Sequence, residues 1–133
     1  MYEYLIPIAD DSDFSLARLE VSLKQFYGQN EDRTINIERF GEDKIVVLVE
    51  RFPFYLNVSD APEVPFESAE MAAHWTGDPS GKERLQNCSR RIEMYADGRD
   101  PSMAYFNDSL YILGEIEKFD GAFIFDPMQG SFI

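Results

Sequence analysis

The chain has one cysteine, one histidine and 12 lysines and arginines in 133 residues, against 25 aspartates and glutamates, and its formal net charge is −13. Each shortage excludes something. A single cysteine, Cys88, cannot close an intramolecular disulfide, and together with the lone His74 it cannot furnish the ligands of a zinc site. Small secreted domains usually lean on disulfides, so the sequence points to a cytoplasmic protein. The shortage of cations argues against nucleic acid, whose binders draw most of their affinity from lysine and arginine meeting phosphates, and against an anionic membrane surface. Long hydrophobic runs are also missing. The strongest is Ile45 to Val49, far below the roughly 20 apolar residues of a membrane span. The opening residues, Met1 to Asp11, lack a basic region and turn acidic after a short apolar stretch, unlike a secretory leader. Without export, the sequons at Asn57, Asn87 and Asn107 are chance matches.

What is present is a core. An apolar content of 44% with 14% aromatics is far from the composition of a disordered chain, and the length suits one domain spanning residues 1–133. Alternation over Glu3 to Ala9 predicts a strand. Asp10, Asp11, Ser12 and Asp13 then offer N-cap side chains for a helix over Phe14 to Tyr27, with Leu16, Leu19, Leu23 and Phe26 at helical spacing and Gly28 as its stop. Thr34 to Phe40 and Ile45 to Val49 form a hairpin around Gly41. Pro53 cannot donate to a ladder, so Phe54 to Val58 is expected at a sheet edge. A short helix over Phe66 to Trp75, a loop over Thr76 to Lys82, a helical turn over Glu83 to Asn87 and a strand over Arg90 to Ala96 are expected to follow. Asp100 and Pro101 open the last helix, with Met103, Phe106, Leu110 and Leu113 as its core stripe, and two short strands close the chain around Asp126 to Gly130.

This order is that of an α+β domain, a mixed or antiparallel sheet packed by two or three helices. Its opening β-α-β-β-α-β resembles a ferredoxin-like unit extended by a C-terminal helix and hairpin.

No chemical motif survives inspection. Gly77 to Glu83 has three residues between its glycines instead of four, and a glutamate where a phosphate loop needs serine or threonine. Asp10, Asp11 and Asp13 lack the glycine and closing glutamate of a calcium loop, and capping explains them. No serine sits in a nucleophile elbow, and no local signature joins Cys88 to His74. Arg84, Arg90, Arg91 and Arg99 are interleaved with Glu83, Glu93, Asp97 and Asp100, which reads as local ion pairing. The sequence therefore calls for no metal, no cofactor and no catalytic set.

The remaining signal is acidity. Residues 1–70 hold 15 acids and 6 bases, whereas residues 71–133 hold 10 and 6. In size, charge and cysteine poverty the chain resembles the broad type of small acidic proteins that neutralise toxic nucleases in bacteria, the immunity proteins, although no motif carries that likeness. The expectation is a non-catalytic domain, monomer or homodimer, that captures a basic protein through Asp10, Asp11, Asp13, Glu31, Asp32, Glu42 and Asp43, with Phe54 and Tyr55 as aromatic anchors. The alternative is a small-molecule binder or enzyme with a pocket between helices and sheet, on which His74, Tyr95 or Asp97 converge.

Overall fold

A computed structural model describes residues 1–29 and 32–133. Its strands are β1 (Tyr2–Ile8), β2 (Ile35–Phe40), β3 (Lys44–Val49), β4 (Phe52–Ser59), β5 (Arg90–Ala96), β6 (Phe125–Asp126) and β7 (Ser131–Phe132). Its helices are α1 (Leu16–Tyr27), α2 (Val64–Ala72), α3 (Pro79–Gln86) and α4 (Phe106–Glu117). All seven strands form one antiparallel sheet in the order β2-β3-β4-β5-β1-β6-β7, so the protein is α+β. The ferredoxin-like arrangement does not appear. In a split β-α-β unit one antiparallel strand lies between the two strands joined by the helix, whereas here β3, β4 and β5 all lie between β1 and β2.

Period-two alternation sorts the strands onto two faces. Tyr4, Ile6 and Ile8 of β1, Ile45, Val47 and Val49 of β3, Phe54 and Leu56 of β4, and Ile92 and Met94 of β5 point to one face. There they meet Leu16, Leu19 and Leu23 of α1 and Ile112, Leu113 and Ile116 of α4 in the main core. On the other face α2 and α3 cover only one end of the sheet, where Ala9, Ala72, Leu85, Cys88 and Phe123 form a smaller cluster edged by Trp75 and Phe132. Among the described residues no helix is long and apolar enough to cross a membrane.

Several boundaries differ from the sequence expectation for physical reasons. Ser15, not the aspartate cluster, caps α1, its hydroxyl accepting from the Arg18 N–H at 3.2 Å. β4 is a central strand between β3 and β5, not an edge. It tolerates Pro53 because pairing with β5 begins only at Tyr55, so on that side no ladder partner stands opposite the missing N–H. Thr76 to Lys82 is not all loop. Asp78 is an N-cap whose carboxylate accepts from the Gly81 N–H at 3.1 Å, Pro79 occupies the first turn, and the segment once suggestive of a phosphate loop is the start of α3. α4 starts at Phe106 because Met103 adopts φ +56° and interrupts the helix. Asp100 caps the preceding turn instead, accepting from the Ala104 and Tyr105 N–H groups and from the Tyr2 hydroxyl. Met103 and Leu110, expected in the core stripe, are exposed.

Candidate functional site

Partial coverage by α2 and α3 leaves the β2-β3-β4-β5-β1 part of the second face open. Register places one row across it: Glu38, Val46, Tyr55, Tyr95 and Glu3, each opposite the next. A parallel row carries Phe40, Lys44, Asn57, Glu93, Leu5 and Phe125. At the centre the Tyr55 and Tyr95 rings stack, centroids 5.0 Å apart and 24° from parallel, and Lys44 Nζ lies 5.3 Å from the Tyr55 centroid. Such geometry is that of offset stacking and of a cation over an aromatic face.

Toward the covered end the open face runs into a groove against α2. Residues Glu63, Phe66, Glu67, Glu70 and His74 follow helical spacing along one side of α2 and its flanks, and Phe66 is 74% exposed. Two neighbouring hollows share Leu5 as floor. One, about 250 Å³, is lined by Glu67, Glu70, Met71, His74 and Phe125. The other, about 440 Å³, includes Glu3, Arg91, Glu93, Tyr95 and Asp97 in its lining. Arg91 joins the two walls. Its side chain is 8% exposed, its Nη1 donates to Glu67 on α2 at 2.6 Å, and its Nε donates to Glu93 on β5 at 2.9 Å. Burial alone would lower the guanidinium pKa, but Glu67 and Glu93 outweigh it and raise it, so the cation is permanent. Its charge is committed to two carboxylates, and Glu3, Glu70 and Asp97 leave the groove acidic.

The residues that sequence reasoning grouped as a partner surface do not come together. Asp10 accepts from the Ser89 N–H and hydroxyl, Asp11 from Arg84 at 2.8 Å and Asp13 from Arg18 at 3.1 Å. The hydrogen bond from Arg84 holds the Asp11 carboxyl below its usual range. Glu42 pairs with Arg39 at 3.4 Å, and Asp43 is exposed in the β2–β3 turn, its carbonyl accepting from the Val58 N–H. The β1–α1 link and the β2–β3 turn lie at the same end of the sheet, with β1 and β2 four strand spacings, about 19 Å, apart. Asp32 is exposed, and Glu31 lies outside the described residues. Phe54 leaves the set: it is fully buried and packs on Tyr2 and Phe52 in the main core. Tyr55, its neighbour on the opposite face, is half-buried and open to a partner.

His74, Tyr95 and Asp97 do not converge on one pocket: His74 lines the smaller hollow, between α2 and the sheet, whereas Tyr95 and Asp97 line the larger, which is walled by β1, β5 and their ends alone. Cys88 is fully buried, and burial pushes its thiol up to about 12, which leaves it protonated and inert at neutral pH. Among the described residues no group of three or more histidine, cysteine, aspartate and glutamate side chains is arranged to hold a metal ion. Of the interleaved arginines, Arg91 pairs with Glu93 and Glu67, Arg84 reaches Asp11 and Asp120, and Arg90 lies over the Phe14 ring.

Sequence reasoning missed Glu3, Leu5, Arg91, Glu93, Glu67 and Glu70 as members of one site. The signal for two of them was present: Arg91 and Glu93 alternate with Tyr95 along β5 and must share a face. Their meeting with β1 and α2 is a matter of long-range pairing. No family model matches this chain, and no curated protein or solved structure matches it significantly.

Proposed function

We propose that this protein is a non-catalytic binding protein that captures a basic polypeptide on the open face of its sheet. The observation that carries the reading is the uncovered row Glu38, Val46, Tyr55, Tyr95 and Glu3, a stacked tyrosine pair bounded at both ends by carboxylates and continuous with the acidic groove beside α2. Rigid aromatic side chains at the centre of a surface supply contact area at low entropic cost, and a carboxylate rim steers a cationic partner and fixes its register. The net charge of −13 adds long-range attraction. This surface is preferred to the one first expected around Asp10 to Asp13, whose carboxylates each accept from a local donor, Ser89, Arg84 or Arg18, with no aromatic anchor among them. Neutralisation of a toxic basic protein in the cytoplasm, in the manner of a bacterial immunity protein, is the specific form of capture that this surface suits.

A small-molecule site is the second reading, favoured by the 440 Å³ hollow with Tyr95 and Asp97 in its wall. The two are separated by affinity capture at low salt with wild-type protein and a Tyr55→Ala/Tyr95→Ala double variant. A basic protein retained by the wild type, released by salt and lost with the variant supports capture. Retention that is indifferent to both tyrosines and to salt contradicts it.

A further inference from the structure

The two ends of the tyrosine pair are not equivalent. On the Tyr55 side the chain supplies its own cation, Lys44, 5.3 Å from the ring centroid. On the Tyr95 side the next residue across the sheet is Glu3, and between them opens the 440 Å³ hollow with Leu5 in its floor and Glu93 and Asp97 in its wall. The one side-chain cation lining this hollow, Arg91, is buried and bonded to Glu67 and Glu93. Among the described residues no ion pair holds Glu3 or Asp97. The free end of an aromatic stack, an apolar floor and two uncommitted carboxylates are thus assembled in one concave place.

We propose that this hollow seats an arginine side chain of the basic partner, an inference that rests on the binding reading above and names the residue class the site selects. A planar guanidinium stacks on the exposed part of Tyr95 while its fork donates to Glu3 and Asp97, and its methylene stem covers Leu5. Lysine fits less well. Its ammonium is more strongly hydrated and cannot donate in two directions in the plane of a stacked ring. Arg91 acts as a positioning residue, since by clamping Glu93 and Glu67 it removes those carboxylates from competition and fixes the wall against which the incoming side chain rests.

The test is a titration of isotope-labelled protein, followed by amide NMR at low ionic strength, with the acetylated and amidated pentapeptide Arg-Gly-Arg-Gly-Arg. The same peptides with lysine or with neutral citrulline in place of arginine are the controls. The expected result is saturable shifts centred on Glu3, Tyr95 and Asp97, about fivefold weaker with lysine and absent with citrulline. A Glu3→Gln/Asp97→Asn variant should weaken the arginine peptide about tenfold while leaving its own spectrum folded. Shifts of equal size for arginine and lysine, or shifts spread over Asp13, Glu83 and Glu117, would overturn the seat. No saturable shift with arginine, alongside capture that depends on Tyr55 and Tyr95, sinks the arginine seat and leaves the binding reading standing. Failure of both sinks the reading itself.

Discussion

Asp108 offers the sharpest test of what holds the sheet to its helices. Its side chain is 2% exposed on α4, and it accepts two parallel N–H bonds from Arg33 at 2.9 Å each and one from the Tyr27 hydroxyl at 2.9 Å. It therefore ties α4 to the end of α1 and to the strand entry before β2. Asp108→Ala removes all three bonds, strands a buried phenol and leaves Arg33 with only Glu50, 3.5 Å from its Nε. Breaking a buried pair by deleting one partner costs about 3–5 kcal/mol, and the partial exposure of Arg33 places this case near about 3 kcal/mol. For a chain of this length the unfolding entropy is about 0.28 kcal/mol per kelvin, so Tm should fall by about 10 °C. Asp108→Asn keeps one acceptor and the volume and should lose about half as much. Thermal unfolding followed by circular dichroism measures both. A fall below about 3 °C for the alanine variant would refute the reasoning, because the buried carboxylate would then contribute no more than a surface pair.

Other expectations follow from the same geometry. Asp11, Glu20, Asp78 and Asp100 all have carboxyl pKa values lowered by folding: Asp11 and Glu20 by hydrogen bonds from Arg84 and Arg39, Asp78 by Ser80. At Asp100, burial is outweighed by bonds from Tyr2, Tyr105 and Ala104. Their stabilisation is present above the unfolded carboxylate range and is lost as pH falls through the folded values, so chemical denaturation should show stability declining below about pH 4.5. Burial raises Cys88 and Tyr2 to about 12, so a second decline should begin near pH 9 and run to about 12 as the unfolded thiol and phenol ionise first. A profile flat to pH 12 would contradict their burial. Met103 holds φ +56° while 57% exposed, so Met103→Gly should stabilise by about 0.5–1 kcal/mol, a rise in Tm of about 2–4 °C, and a fall in Tm would show that the turn is not strained. Cys88 should resist a thiol reagent at pH 8 in the native protein and react fully in denaturant. Prompt native labelling would show that the α3 end opens readily.

What the sequence made legible was set by how local each determinant is. β5 was readable to the residue, because Arg90 to Ala96 alternates and Asp97-Gly98 ends it. The Asp78-Pro79 start of α3 carries the same cap-then-proline signature as Asp100-Pro101, but glycines and serine around it outweighed it, and the two cases resolved in opposite ways. Asp78 does cap a helix, whereas the strained Met103 stops the Asp100 turn from propagating into α4. Pro53 misled for a different reason. Its cost depends on whether a neighbour stands opposite its missing N–H, and that is fixed by where β5 ends, at Ala96, far away in sequence. The site was the least legible part. Tyr55 was singled out, but its stacking partner Tyr95 was assigned to a different pocket, and the acids Glu3, Glu67 and Glu70 were three among 25. Only the register of β1, β4 and β5, with α2 packed beside them, turns them into neighbours.

The central claim is that the open face, and not acidity in general, captures a basic partner. Two triple variants of identical net charge decide it. One reverses Glu3, Glu38 and Glu70 to lysine on the open face and groove, and the other reverses Asp32, Glu83 and Glu117, all exposed and away from that row. Dissociation constants for the captured basic protein, measured with wild type and both variants at several salt concentrations, should show the open-face variant weakened at least about tenfold more than its charge-matched control. Equal weakening of the two variants would contradict the account and reduce the acidity to long-range attraction without a site.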